Sequence, residues 1–526
     1  MSAPLKAYIE TMNFSLLGGL SDFLLFVCLL LVVFYWYCNG FFNVWEQLGV
    51  PGPKPWPFLL HIPELRNGME QAFDKWESEY GRTYGLQSII SRRPALVTTD
   101  TKLLYHIFVK DFDNFVNRAS PSLSTKTTAL RSLFFYGGSD WRRTRHVMSL
   151  MFTGGKLKIT MYHANNSAAT LVNLIKRIKA KGELVPLKKF MAKYTSDVIA
   201  KSGFGLKAEA VSDVDNEFFD NINKFLSLGS TSQQFFRLIG LYFPFISKIG
   251  LHFFENADWI NPKADAYFSE LANNAIETKR EQKSEKVNDM LDLLLHSETP
   301  RAVAGPNEKC LTTKEIVANS VLLILAAYET TSSTLRSLLY LLAQNQDIQD
   351  KVIQEIDTVL DGRTEPEYED LTNLKYTEQV IKEAIRLFPP VPILTREALE
   401  TKTYDGVTIP KGSCVLIRVN KILRDPEYWS EPDKFNPDRF APDVEHKASA
   451  VAYLAFGFGP RICIGKRLAI LELKVALSQL LSNFRFVKTD LTYPKLGEDV
   501  KMVNVINTMS QPEKPIELDV VLRKEE

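Results

Sequence analysis

The sequence has few cysteines and lacks the motifs of several common enzyme classes. Its 526 residues include five cysteines, no two of which form a CxxC pair, so a disulfide framework and a zinc ribbon are both disfavoured. The seven histidines form no HExxH or comparable metal-binding spacing. No GxGxxG fingerprint joins a strand pattern to a helix pattern. We therefore expect a reducing compartment for the main body and no dinucleotide-binding domain within the chain.

An excess of charge of one sign is also absent. The 63 basic and 62 acidic residues give a formal net charge of +1 at pH 7. Without a basic surplus there is no electrostatic reason to expect a nucleic-acid partner. Hydrophobic residues make up 45% of the chain, which is long enough to bury a sizeable core.

Charged residues are missing between Phe23 and Cys38, where the chain reads FLLFVCLLLVVFYWYC. With the residues upstream, this run is long enough to cross a bilayer, and it ends in aromatic residues typical of the membrane interface. The sequence thus predicts a transmembrane anchor over 15–38. A cleaved signal peptide is the alternative, disfavoured because the apolar run is long and no small-residue cleavage site follows. Lys6 and Lys54 flank the run, so charge barely decides its orientation.

A proline-rich linker, 39–57, separates this anchor from the rest of the chain. Its segment VPGPKPWP has four prolines in eight residues, which excludes helix and indicates a stiff, extended spacer. Residues 58–526 contain no repeat and no second linker, so we expect one large domain there.

Helical periodicity dominates that domain, and strand patterns are short. The predicted helices are 68–80, 100–115, 138–152, 160–180, 186–203, 214–228, 263–284, 312–344, 346–360, 374–387 and 466–483. The predicted strands are 94–99, 403–410, 413–419 and 484–488, with Asp405-Gly406 at a hairpin turn. The fold class is therefore mainly α with a minor β region.

One cysteine, Cys463, lies in a glycine-rich bend, AFGFGPRICIG, immediately before a helical pattern. Backbone N–H groups and the positive end of the helix dipole favour an anion there, which is the environment of a thiolate. A thiolate can be a nucleophile, a redox switch or a metal ligand. A single such cysteine suits an axial haem ligand, and Arg461 could pair with a haem propionate. The residues alone leave a catalytic thiol and a structural cysteine open.

The spacing of five residues in this bend resembles the haem-binding signature of cytochrome P450 monooxygenases: Phe456, Gly459, Arg461, Cys463 and Gly465. The resemblance implies a P450 fold with haem b between a long central helix and the cysteine loop. It also implies that the Cys463 thiolate is the axial ligand and that Phe456, Arg461 and Gly465 contact the cofactor.

Further segments resemble the family in the expected order. EAIR with FNPDRF implies a buried network of Glu383, Arg386 and Arg439. WRRTR and ILTRE imply that Trp141, Arg145 and Arg396 bind the haem propionates.

The segment AAYETTSS resembles the family's proton-delivery motif, which implies that role for Glu329 and Thr330. Thr330 can also hydrogen-bond its own helix and loosen one turn. The helix should open with a capping box formed by Thr312 and Glu315. The family usually has glycine where this chain has Ala327, so we expect a narrower groove over the haem.

The implied reaction inserts one atom of O2 into a lipophilic small molecule: a steroid, a fatty acid or a xenobiotic. Because the chain has no dinucleotide fingerprint or flavin domain, the implied electron donor is NADPH-cytochrome P450 reductase, with cytochrome b5 as a further candidate partner. The candidate docking residues are Arg142, Arg143, Lys466 and Arg467. The implied location is the endoplasmic reticulum membrane, held in the lipid bilayer by a single N-terminal span, with the catalytic domain on the cytosolic side.

The substrate pocket is expected between 235–254, 132–138 and 389–394. Several motifs resemble most closely those of the clan that contains the drug- and steroid-oxidising family 3 and thromboxane synthase. Two alternatives stay open: a haem-thiolate isomerase or dehydratase acting on lipid peroxides, and a non-enzymatic haem or lipid-binding protein. The retained acid–threonine pair argues against both.

Overall fold

The computed structural model describes most of the chain. The described residues are 23–30, 32–33, 43–56, 60–66, 68–87, 93–119, 127–205, 217–225, 261–282, 289–299, 308–442, 450–500, 502–504 and 510–523.

Helices make up most of the described residues, as the periodicity predicts. The labelled helices are α1 (Met69–Tyr80), α2 (Thr101–Tyr105), α3 (Gly138–Ser149), α4 (Gly154–Ala180), α5 (Leu187–Phe204), α6 (Glu217–Phe225), α7 (Pro262–Gln282), α8 (Met290–His296), α9 (Thr313–Gln344), α10 (Gln346–Leu360), α11 (Lys375–Leu387) and α12 (Lys466–Asn483). One-turn helices occur at Val44–Gln47, Ile62–Leu65 and Val419–Ile422.

The strands are short and form several small sheets. They are β1 (Thr83–Gln87), β2 (Pro94–Thr98), β3 (Val185–Pro186), β4 (Glu298–Thr299), β5 (Leu311–Thr312), β6 (Ile393–Glu397), β7 (Lys402–Tyr404), β8 (Val407–Ile409), β9 (Cys414–Arg418), β10 (Phe484–Val487), β11 (Met502–Asn504), β12 (Ser510–Pro512) and β13 (Glu517–Leu522). The largest sheet has the order β1-β2-β9-β6, with β2 and β9 parallel. The predicted hairpin is present as β7 and β8, with positive φ at Asp405 (47°) and Gly406 (84°).

Helix α9 runs through the core and fixes the elements around the site. It begins with the predicted capping box, in which the Thr312 and Glu315 side chains bond each other's backbone N–H. The Thr195 hydroxyl of α5 donates to the Tyr328 carbonyl at 3.0 Å. On another side, the Leu133 N–H donates to Asn319 Oδ1 at 2.8 Å, which attaches the segment before α3 to α9.

Within the described part of the chain, only α9 is long and apolar enough to span a membrane, but 78% of its apolar window is buried inside the protein. It is therefore a core helix. Of the predicted anchor over 15–38, residues 23–30 and 32–33 are described; they are helical, and nearly all are exposed. The remainder of that prediction lies outside the described residues.

Candidate functional site

The segment between Phe456 and Gly465 forms a tight loop that ends as the N-cap of α12. Gly457 and Gly459 have φ of 77° and 72°, a conformation that other residues adopt at a cost. A Cβ on Gly459 would lie 2.1 Å from the Phe108 carbonyl oxygen. The Cys463 N–H donates to the Phe456 carbonyl at 2.9 Å, which closes the loop. Loop geometry thus fixes the position of Cys463.

The Cys463 side chain is exposed to solvent, yet the surrounding protein is dense enough that burial raises the pKa of its thiol. The sulfur can be both exposed to solvent and surrounded by protein if it faces a cavity inside the protein. The Gly465 N–H and the charges of Arg145 and Arg118 act to lower the pKa of this thiol. Burial outweighs these contributions, so the prediction of a stable thiolate is wrong for the free cysteine. Binding of a metal cation would remove the proton.

The other described cysteines lie in different surroundings. Cys414 is 1% exposed within β9, and burial raises the pKa of its thiol to about 12. Cys310 lies before β5 with its thiol 3.5 Å from Glu308, and burial raises its pKa. Cys28 lies in the N-terminal helical segment. Cys463 is therefore the described cysteine with a loop suited to an anion.

Four arginines and a tryptophan lie beside this loop: Arg118, Arg145, Arg396, Arg461 and Trp141. The Arg461 guanidinium lies over the Trp141 ring, 4.6 Å from its centroid, and Arg118 lies 3.9 Å from the Phe134 centroid. Arg461 also donates to the Phe134 and Tyr136 carbonyls. Side chains from four separate segments thus converge at one place.

The charges in this cluster are not compensated. Burial and the neighbouring Arg118 and Arg145 lower the pKa of Arg461 to about 9. Burial, followed by Arg118 and Arg461, lowers the pKa of Arg396 well below its usual value. Within the described ranges, none of the four arginines forms a salt bridge to a carboxylate. Arg118 Nη1, Arg396 Nε and Arg461 Nε are buried without a hydrogen-bond partner. The cluster therefore suits a ligand with at least two negative groups.

The middle of α9 has one accessible stripe on an otherwise buried helix. Between Glu315 and Ala343, all residues are buried except Leu322, Ala326, Ala327 and Thr330. Spacings of three and four residues place these on one face. The Thr330 hydroxyl donates to the Ala326 carbonyl at 2.7 Å, as the sequence predicts, although the helix stays continuous there. Ala327 lies in this stripe, so its methyl group occupies space that a glycine would leave.

Glu329 lies next to this stripe and is 5% exposed. Burial raises the pKa of its carboxyl group, while the charges of Arg336 and Lys188 act to lower it. A carboxyl in these surroundings changes its protonation state closer to neutral pH than an exposed one does.

The family model described as Cytochrome P450 matches residues 50–518. The chain belongs to the cytochrome P450 family. It is 32% identical to cytochrome P450 3A9 of Rattus norvegicus over 94% of this chain and 95% of the rat protein. It is also 32% identical to cytochrome P450 3A5 of Homo sapiens, over 93% of this chain and 94% of the human protein. As a P450, the chain is a haem b monooxygenase with a cysteine thiolate as axial ligand, and the expected fold class, mainly helical with a small β region, is confirmed.

The residues of this P450 fit that cofactor. Haem b carries two propionates, and the uncompensated arginine cluster offers buried N–H donors without partners. Phe456 begins the loop that holds Cys463, and the Lys466 ammonium lies over its ring, 5.5 Å from the centroid. The structure brings together all of the predicted cofactor-binding residues, and it adds one that was not predicted, Arg118. No motif in the sequence marks Arg118, because it follows a helix in an irregular segment.

The predicted structural network of the P450 is assembled by α11 and the irregular segment that precedes the cysteine loop. Glu383 accepts from Arg386 Nε at 2.7 Å and Nη2 at 2.9 Å, and from Arg439 Nε at 3.3 Å. Glu383 and Arg386 are both fully buried. The Asn436 N–H also donates to Glu383, at 2.9 Å. This network joins α11 to the irregular segment that precedes the cysteine loop.

The docking residues expected from the sequence separate into two groups. The prediction of Arg143 as a docking residue is wrong, because its side chain is 2% exposed and forms a buried ion pair with Glu315. It also donates to the Cys310 carbonyl at 2.8 Å, so it joins α3 to the start of α9. Arg142 is exposed and pairs with Asp113, and Lys466 and Arg467 are exposed.

Two of the predicted pocket segments are described. Phe134 within 132–138 is 46% exposed, and Val391 within 389–394 is 39% exposed, so each segment presents an apolar side chain to solvent. The third segment, 235–254, lies outside the described residues.

Proposed function

We propose that this P450 oxidises a lipophilic small molecule, a steroid, fatty acid or xenobiotic, with Cys463 as the haem ligand. The observation that carries this is the convergence of four uncompensated arginines on the loop of an accessible cysteine. The relatives' printed names place them among the 3A cytochromes P450 and name no substrate.

The haem would be held by side chains from both sides of the loop. Trp141, Arg145, Arg396 and Arg461 would bind the propionates, together with Arg118. Phe456 and Gly465 would border the ligand cysteine. When bound, the haem supplies the oxidising chemistry that inserts one atom of O2 into the substrate and reduces the other to water.

Helix α9 would form the oxygen-side wall of the pocket. The accessible stripe of Leu322, Ala326, Ala327 and Thr330 supplies an apolar surface with one hydroxyl. Glu329 and Thr330 would deliver protons, Glu329 by taking them up from solvent and Thr330 by holding a water at its hydroxyl. The Ala327 methyl narrows this surface, so bulky substrates would be held farther from α9.

Electrons must come from another protein, and an NADPH-dependent P450 reductase is the proposed donor, with cytochrome b5 as a second. Arg142, Lys466 and Arg467 are the exposed cations proposed to dock it. We also propose an anchor at 15–38, a linker at 39–57 and a catalytic domain at 58–526 on the cytosolic side of the endoplasmic reticulum membrane. The exposed apolar residues of 23–30 favour a lipid surround for that segment.

The test is the carbon monoxide difference spectrum of the reduced, purified full chain. A red-shifted Soret band is expected for the wild type and for the matched control Cys414→Ser, and its loss is expected in Cys463→Ala. A band that survives in Cys463→Ala overturns the assignment of the ligand. Turnover that needs neither NADPH nor reductase would instead indicate the isomerase or dehydratase alternative.

A further inference from the structure

Helix α9 contains a further buried cation, Arg336, which lies outside the arginine cluster beside the cysteine loop. Its side chain is 2% exposed, and its Nε and Nη2 atoms are buried with no hydrogen-bond partner among the residues that the structure describes. Buried donors without acceptors are uncommon because they are costly. The charge that acts on Arg336 is the carboxylate of Glu329, which opposes the lowering of the Arg336 pKa by burial. An arginine in this position calls for an explanation beyond packing.

Arg336 and Glu329 lie on the same side of α9. Their separation of seven residues is two helical turns, about 10.5 Å along the axis. Side chains in an α-helix lean toward its N-terminus, so the long Arg336 side chain extends back toward Glu329. No direct hydrogen bond joins the two groups in the described structure, so the interaction between them is one of charge.

The charged groups that face Glu329 come from two elements. Arg336 is on α9 itself, and Lys188 is in the first turn of α5, the helix packed along α9. Lys188 is exposed, whereas Arg336 is buried. Both oppose the effect of burial on the pKa of Glu329. Solvent screens Lys188 more than Arg336, so Arg336 should have the larger influence.

We propose that Arg336 is a positioning residue for Glu329, whose guanidinium orients the carboxylate and keeps it ionised between proton transfers. The inference rests on the proposed role of Glu329 in proton supply. In each cycle the Glu329 carboxyl gives its proton toward the pocket, becomes a carboxylate, and regains a proton from solvent water. Without Arg336 the carboxyl would retain its proton, and the supply would slow.

The test is a pH titration of the Glu329 carboxyl by infrared spectroscopy on the purified, haem-loaded full chain. The signal of the protonated carboxyl is assigned by its disappearance in Glu329→Gln. In Arg336→Gln we expect a roughly tenfold higher ratio of protonated to ionised Glu329 at a given pH within the transition, because a nearby opposite charge is removed. Lys188→Gln should give a smaller change in the same direction. Arg336→Lys keeps the charge and should restore most of the wild-type titration.

A folded Arg336→Gln variant with the wild-type titration overturns the proposal. If that variant does not fold, the wild type supplies the decisive measurement, since the proposal requires Glu329 to be ionised at pH 7. A protonated Glu329 at that pH would overturn it. The titration does not depend on turnover, so a wild-type chain without the thiolate Soret band would refute the proposed function separately.

Discussion

Glu472 in α12 is a fully buried carboxyl group whose protonation should control stability at alkaline pH. It is 1% exposed, and both of its carboxylate oxygens are buried without a hydrogen-bond partner in the described part of the chain. Burial alone raises its pKa from 4.5 to about 8. In the folded chain the group is thus protonated at neutral pH, whereas in the unfolded chain it is ionised.

The sign and size of the effect follow from linkage. Between pH 4.5 and about 8 the folded state binds more protons than the unfolded state, so the free energy of unfolding falls as the pH rises. A pKa difference of about 3.5 at 1.36 kcal/mol each corresponds to ~5 kcal/mol, all of it lost above pH 8.

The assay is thermal or urea unfolding of wild type and Glu472→Gln from pH 5 to pH 9. The amide does not ionise, so the variant should lose most of the alkaline decline while keeping a pH-independent cost for a buried amide. Glu378→Gln is the matched control on α11. Salt bridges to Lys474 at 2.8 Å and Lys382 at 2.9 Å overcome burial and lower the Glu378 pKa, so its loss should destabilise the chain at neutral pH. Parallel pH profiles for wild type and Glu472→Gln would refute the reasoning.

Three further substitutions test the site and its support. Glu383→Gln should lower the free energy of unfolding, measured in urea, by about 3–5 kcal/mol, since it weakens the buried contacts of Arg386 and Arg439. The control Glu369→Gln removes an exposed pair with Lys158 and should change that free energy little. Equal losses in the two variants would contradict this. Gly459→Ala should lower haem content and melting temperature, because its Cβ meets a backbone oxygen at 2.1 Å, and normal haem loading would count against that contact. Arg396→Met should raise the stability of the haem-free chain, because it relieves repulsion from Arg118 and Arg461, and it should weaken haem retention. A haem-free variant that is less stable than the haem-free wild type would refute this prediction.

Most helices were predictable because their apolar periodicity is strong, and the capping box of α9 specifies its start. The short helix α8 was not predicted. Among the strands of four or more residues, β1, β6 and β13 were not predicted. ILTRE in β6 carries a buried arginine that interrupts its apolar pattern, and its pairing with β9 is a long-range contact that local sequence does not encode. The chain's own motifs identified the cysteine loop and the Glu383 network, since each has a fixed local spacing.

Two outcomes at the site depended on tertiary contacts that no spacing reveals. Arg143 stands between two arginines in WRRTR, and the sequence does not say which of them is buried. The structure places it against Glu315, more than 170 residues away in the chain. Arg118 likewise joins the haem-site cluster only through folding. Burial of a charge is a property of the assembled core, so single-sequence reasoning assigned these arginines incorrectly or missed them.

Apart from Arg336 on α9, the buried arginines of the described chain fall into two classes, and the difference supports the proposed haem site without reference to any motif. Arg386 and Arg418 lie against carboxylates of the chain itself, Arg418 with three, at 2.6 to 3.1 Å. Arg396 and Arg461 have no such partner, and burial together with mutual repulsion lowers their pKa values. A chain that compensates its structural cations elsewhere would be destabilised by leaving these bare, unless a ligand supplies the missing negative charge. A ligand with two anionic groups beside Cys463 would supply that charge, and this supports the proposal that haem b binds there.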